Sequence, residues 1–538
     1  MDRKEAPMKL TFFGAAHAVT GSCHCLEVNG KKILIDCGLQ QGRDEVDDNA
    51  LPFHAGEIDY VIVTHAHIDH SGRLPLLKKQ GFTGKAYTTR LTAELLEIML
   101  LDSAHIQEQD VVWTNQKGKR AGRPPVEPLY TVEDAMAALD ALRVYDYQQQ
   151  FELCPGVQVR FQDAGHLLGS AIVEIWATEG EKTTKLVFSG DLGNRNQPII
   201  RDPSYVQEAD YVITESTYGD RNHLAESGYT EELAKVLNET FAKGGNVIIP
   251  AFAVGRTQEL LYFIREIKER NLVPDHPDFP VYVDSPLAKR ATTIFTGDLT
   301  GYIDEEAKEL VADGIKMFTF PGLNLCETAA ESQALNAEQT PKVIISASGM
   351  CDAGRIRHHL KHNLWRPECT VCFVGFQSYG SLGRTLLDGA ETVKLFGERI
   401  AVKAKIVNFH GLSSHADQED LLAWAGTFFP RPKKIFVVHG DADVVPQYVE
   451  KLRGMGLDAH APKYTEVYDL DNNCVLTEGY TPERKVKVQE NPYYSELLAK
   501  AERILEVAKQ NKGGANRDLR HFAADLEALI NKYQRGDL

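Results

Sequence analysis

The stretch Thr64-His65-Ala66-His67-Ile68-Asp69-His70-Ser71-Gly72 places three imidazoles and a carboxylate within six residues, directly after the apolar run Tyr60-Val61-Ile62-Val63. A short apolar run of this kind reads as a buried strand, and a strand ending in so dense a group of ligand-type side chains predicts a metal site. Imidazole nitrogen and carboxylate oxygen suit zinc, and manganese can replace it in an N/O site. Alternation along an extended chain sets His65 and His67 on one side, where they can grip one ion. The turn that follows can swing Asp69 and His70 toward a second.

Further ligand-type residues close other strand-like runs. Asp163-Ala164-Gly165-His166, Phe188-Ser189-Gly190-Asp191 and Val437-Val438-His439-Gly440 each end one, and Asp36 lies in Leu34-Ile35-Asp36-Cys37-Gly38. In this order the series resembles the motif set of the metallo-β-lactamase superfamily. The resemblance implies two zinc ions, one on His65, His67 and His166, the other on Asp69, His70 and His439, with Asp191 between them. It casts Asp36 as the residue that orients the ligand loop.

Thr214-Glu215-Ser216-Thr217-Tyr218-Gly219, Ser413-Ser414-His415-Ala416-Asp417 and Val438-His439-Gly440 resemble the three extra motifs of the β-CASP nuclease subgroup. Residues 250–259, 283–288 and 346–350 read like its inserted domain, and Leu101-Asp102-Ser103-Ala104-His105-Ile106-Gln107-Glu108 is similar to bacterial and archaeal relatives of the messenger-RNA 3′-end cleavage endonuclease. The resemblance runs from about Leu10 to His439. It implies a zinc-dependent ribonuclease that cuts single-stranded RNA internally, in RNA processing or decay. A hydroxide held by both ions would attack phosphorus, Asp69 would steer it, and His415, held by Glu215, would protonate the leaving oxygen. In this subgroup the third extra motif is histidine in RNA-directed members and aliphatic in DNA-directed ones; here it is His439. The alternatives are a DNA nuclease of the β-CASP repair type, a 5′–3′ exoribonuclease, a small-molecule metallo-hydrolase, and a non-catalytic subunit, against which the complete ligand set argues.

A net charge of −17 runs against a nucleic-acid substrate unless cations gather locally. Val343-Ile344-Ile345 leads through Ser346-Ala347-Ser348-Gly349 into Gly354-Arg355-Ile356-Arg357-His358-His359-Leu360-Lys361-His362, which predicts cations and free amides at a helix N-terminus. Ser346, Ser348, Gly349 and Arg355, with Arg256, are the expected phosphate-binding residues, and His359 and His362 are expected near them.

Asn29-Gly30 between Cys25-Leu26-Glu27-Val28 and Lys31-Lys32-Ile33-Leu34-Ile35 predicts a hairpin. From about Tyr211 to Val374 the pattern turns to strand, small-residue loop, helix, which predicts a parallel α/β unit inserted in the catalytic domain. The expected α/β fold is therefore an αββα metallo-β-lactamase sandwich (residues 1–208 and 393–470) with a β-CASP domain (209–392) and a C-terminal helical extension (471–538). Two amphipathic helices in that extension leave packing, homodimerisation and partner binding open. No apolar run long enough to span a membrane and no signal-peptide core is present, and the nine cysteines lack a disulfide spacing, so a cytoplasmic place is expected. Cys369 and Cys372 are expected as buried thiols on opposite faces of a strand.

Overall fold

Asn29 and Gly30 both adopt left-handed backbone, φ 51° and 68°, and close the predicted hairpin between His24–Val28 and Lys31–Ile35. The structure, a computed structural model, describes residues 7–46, 49–223, 228–378, 380–409, 413–482 and 492–533. The hairpin belongs to a sheet that runs, in spatial order, Cys474–Thr477, Val467–Asp469, Lys9–Phe12, His24–Val28, Lys31–Ile35, Tyr60–Ile62, Lys85–Thr88 and Leu142–Val144. A second runs Ala459–His460, Lys434–Val437, Tyr211–Thr214, Lys182–Phe188, Ala171–Glu179, Val157–Asp163 and Gln150–Cys154. Leu10, Phe12, Leu26 and Ile35 of one sheet share a core with Phe161, Val173, Ile175 and Phe436 of the other. Leu91, Leu95 and Leu96 of one helix join the apolar cluster on the outer side of the first sheet, and Leu421, Trp424 and Tyr448 cover the second. This is the αββα sandwich.

Strand direction then fixes where the loops meet. Lys31–Ile35 and Tyr60–Ile62 are parallel neighbours, so Asp36 and the histidine loop leave the same edge. Lys182–Phe188, Tyr211–Thr214 and Lys434–Val437 are parallel neighbours in the other sheet, and they deliver Asp191, Glu215 and His439.

The inserted unit is a six-stranded, wholly parallel sheet in the order Leu323–Cys326, Val281–Asp284, Val343–Ser346, Val247–Pro250, Thr370–Phe373, Lys405–Asn408. Its central strands are buried throughout, as apolar runs covered on both faces require. Cys369 packs into the cluster with Ile248 and Leu360, and Cys372 into the opposite one with Val247 and Ile249, as expected for thiols on alternate faces.

Two expected boundaries move. Lys405–Asn408 pairs with Thr370–Phe373, so the insertion extends past residue 392. Cys474–Thr477 pairs with Val467–Asp469, so the catalytic sheet extends past residue 470. The chain divides into one unit of residues 1–483 and another of 484–538. The latter contains the helices Pro492–Gln510 and Asn516–Tyr533. Among the described residues, no helix is long and apolar enough to cross a membrane.

Candidate metal centre

His67 precedes a one-turn helix, Ile68–Ser71, which turns Asp69 and His70 away from the strand direction of His65. His65 Nε2 lies 3.0 Å from His67 Nδ1, and His166 Nε2 lies 3.1 Å from the same atom. Asp191 Oδ2 is 3.5 Å from His65 Nε2 and 3.6 Å from His166 Nε2, while its Oδ1 is 3.1 Å from His70 Nε2 and 3.6 Å from His439 Nε2. His439 Nε2 is also 3.6 Å from Asp69 Oδ2. Among the described residues, the ligand-type atoms thus form a group of His65, His67, His166 and Asp191 and a group of Asp69, His70 and His439, each within 4.8 Å, and Asp191 is shared with a third group that adds Glu215 and His415. Asp191 Oδ1 and His439 Nε2 are buried without a hydrogen bond, an arrangement that costs free energy unless something electropositive takes both. A divalent cation on each group fits these donors.

Backbone shape and neighbours aim the rings. Asp36, at φ 62°, receives the Thr64 amide at 2.8 Å and the Thr64 hydroxyl at 2.9 Å, and sits 2.7 Å from His70 Nδ1, which leaves His70 Nε2 for the site. His166 Nδ1 donates to the Ser414 carbonyl at 2.9 Å, and Thr217 Oγ1 lies 3.1 Å from His439 Nδ1. Thr217 was not singled out in the sequence; its position two residues after Glu215 is the only local signal. Gly38 and Gly193 let two loops touch. A Cβ on Gly38 would fall 1.6 Å from the Asp69 carbonyl oxygen, and one on Gly193 1.7 Å from that of Gly165.

Charge separates the two groups. Burial holds His65, His67 and His166 below the ordinary imidazole pKa, so they present neutral nitrogen. Burial also opposes charge on His70 and His439, but Asp191 together with Asp36 or Asp69 overrides it and raises both.

His415 stands at the rim. An isolated antiparallel bridge to Gly193 fixes its backbone, and its Nδ1 lies 3.1 Å from Glu215 Oε1 and 4.0 Å from Asp191 Oδ2. Burial works against its charge, yet Glu215 carries its pKa up to about 9. Its side chain keeps 20% exposure against 2% for Asp191, so it is the member of this pair open to a substrate.

Residues 18–251 match the metallo-beta-lactamase superfamily, 257–386 the Beta-Casp domain, and 399–462 the Zn-dependent metallo-hydrolase RNA specificity domain. Ribonuclease TTHA0252 of Thermus thermophilus is 38% identical over 437 residues, covering 81% of this chain and 94% of that protein. The chain belongs to the β-CASP family of the metallo-β-lactamase superfamily. It is a metal-dependent nuclease. Similar relatives include the RNase J-like protein of Methanocaldococcus jannaschii, 30% identical with 80% of this chain and 92% of that protein covered. The transcription termination factor FttA of Methanosarcina mazei is 30% identical, with 84% and 70% covered.

In this β-CASP chain the loops after Val247–Pro250 and Val343–Ser346 leave the same edge of the parallel sheet. Gly255 lies against Leu167, beside His166, so that edge adjoins the metal centre. The expectation of free charge there is corrected. Arg355 is paired with Asp284 at 2.7 Å, and Arg256 with Glu259. Ser346 Oγ donates to the Asp284 carbonyl, and the Ile356 and Arg357 amides donate to Ala347 and Gly354 rather than standing free at the helix start. His359 is fully buried with Nε2 2.6 Å from Asp284 Oδ2, so it supports the loop from within. Ser348 is part-exposed and exchanges hydrogen bonds with Ala353, while Gly349 is buried against the half-exposed ring of Phe252, which sequence reasoning passed over as part of a motif, and the Gly349 carbonyl accepts from Gln377.

Proposed function

We propose that the chain is a zinc-dependent ribonuclease that cleaves single-stranded RNA internally. The carrying observation is the Glu215–His415 pair set against Asp191, outside the two ligand groups and open to the rim. Two divalent ions on the seven ligand residues would supply a water acidified to near neutrality and positive charge against the phosphate oxygens. Asp69, the part-exposed carboxylate of the set, would help hold the second ion and steer that water toward phosphorus. His415 in its protonated form gives a proton to the leaving sugar oxygen, while Glu215 holds the ring and balances its charge. Ser348 and the backbone at Gly349 bind a substrate phosphate, and Arg256 and Arg355 stiffen the loops around it through Glu259 and Asp284. Histidine at position 439, the domain match named for RNA specificity and a relative named ribonuclease all favour RNA over DNA.

End-labelled RNA and DNA of one sequence, with and without a 5′-phosphate, test this on zinc-loaded protein. Internal RNA products irrespective of the 5′ end are expected. Equal cleavage of DNA, or stepwise shortening from a 5′-phosphate, would replace the proposal with the DNA-nuclease or exonuclease reading.

A further inference from the structure

The helix Arg90–Arg120 begins at the metal centre and ends far from it. Its N-cap Thr89 and Thr92 both donate hydroxyl hydrogen bonds to the Gly169 carbonyl, in the loop that carries His166. Its 31 residues extend about 45 Å at the usual helical rise. Its last buried residue is Ala104, and Glu108 Oε1 still accepts the Val132 amide at 3.0 Å; beyond that, among the described residues, the helix bonds only to the segment that returns along it, so roughly the final 18 Å extend past the body.

Composition changes along that free arm. Residues 111–126 hold Lys117, Lys119, Arg120 and Arg123 and no carboxylate, in a chain of 59 cations and 76 anions. None of these four cations pairs with a carboxylate among the described residues, in contrast to Arg355 with Asp284 and Lys361 with Glu398. The tip is a built structure. Asn115 Nδ2 donates to the Val126 carbonyl at 2.9 Å, its Oδ1 accepts the Val126 amide at 2.8 Å, and the Arg123 amide donates to the Gly118 carbonyl. These bonds fold the returning segment onto the helix and hold the four cations near its last turn. Trp113, one turn before Lys117, leaves 64% of its surface in water.

Unpaired cations beside an exposed indole are the two elements of a sequence-tolerant site for single-stranded nucleic acid, phosphate contact plus base stacking. We propose that the tip of this helix binds single-stranded RNA at a distance from the metal centre and holds it while the strand passes to His415 and the ligand cluster. The proposal rests on the ribonuclease reading. It also accounts for how a chain of net charge −17 retains a polyanion: the attractive charge is carried on an arm away from the acidic body.

The test is a combined Lys117→Gln, Lys119→Gln, Arg120→Gln, Arg123→Gln variant of the full chain, with Trp113→Ser made separately. The first should weaken binding of a long single-stranded RNA at least tenfold at low salt. It should lower the slope of log affinity against log salt by up to about 3, from roughly 0.7 per phosphate contact. Trp113→Ser should weaken binding without changing the slope. Metal content and hydrolysis of bis(nitrophenyl) phosphate, too small to reach the arm, should stay at wild-type values in both. Wild-type affinity and slope in the charge variant would overturn the proposal alone. A parallel loss on the small substrate would move the defect to the metal centre and also overturn it, and wild-type protein without RNA affinity would remove the ribonuclease reading as well.

Discussion

Glu215 Oε1 accepts the Leu192 amide at 2.6 Å and lies 3.1 Å from His415 Nδ1, so one carboxylate oxygen joins the Asp191 loop to the proposed acid. Its Oε2 accepts the Thr217 amide at 3.2 Å, next to the hydroxyl that faces His439. One buried carboxylate thus links the proposed acid to the loop of Asp191 and to Thr217.

His415→Ala should keep metal content and RNA affinity while lowering the cleavage rate by roughly a hundred- to ten-thousand-fold, the usual worth of a general acid. On a nitrophenyl phosphodiester, whose leaving group departs without protonation, the loss should be far smaller. Equal losses on both substrates, read by steady-state kinetics, would make His415 a positioning residue.

Two metal ions per chain are expected by elemental analysis, with His67→Ala and Asp191→Ala folded but inactive. Because carboxylates raise the pKa of His70 and His439, metal must displace protons from them near neutral pH. Calorimetry in buffers of different ionisation enthalpy should register that release, and metal affinity should drop as the pH is lowered. Binding with no proton release would contradict the assignment of the second group.

Gly38→Ala pushes a methyl group into the Asp69 carbonyl and the His70 amide, 1.6 and 2.8 Å from the new carbon. The loop that holds the second group must shift. Metal affinity there should fall about ten- to a hundredfold, the scale found when ligand support is removed, while the His65, His67 and His166 group retains its ion. Titration with a chromophoric chelator separates the two.

His24 packs against Phe12 and Phe188, and burial lowers its pKa from 6.5 to about 3. The unfolded chain takes up this proton first, so stability that is fully present above pH 6.5 drains away as the pH falls toward 3. His24→Phe removes that one proton from the balance. The stability difference between wild type and variant should change by about 1.4 kcal/mol per pH unit across this window and be flat above it. Parallel melting curves from pH 4 to 8 decide it, and a constant difference would show that folding leaves the pKa of His24 unshifted.

The ligand loop was legible because its residues are adjacent in sequence and their types are rare together, and Asn29-Gly30 because the turn chemistry is local. The basic helix was misread for the opposite reason. Arg355 and His359 meet Asp284 across 71 and 75 positions, and nothing near either residue announces a buried carboxylate. Lys405–Asn408 is a strand by virtue of pairing with Thr370–Phe373, since its own side chains are half-buried and only four residues long. The unpaired tip of the long helix was equally silent in sequence, because a cluster of cations reveals its availability only once every carboxylate has been placed.

His415 and His439 both follow the inserted sheet, whose last strand ends at Asn408, whereas His65, His67, Asp69, His70, His166 and Asp191 all precede it. During synthesis from the N-terminus, the growing chain gains six ligand residues early and the acid only after the whole insertion has been made. On the proposed assignment, a chain not yet extended past the insertion holds most of the ligand residues but lacks both His439 and the proton donor, so cleavage waits until the whole insertion has been made.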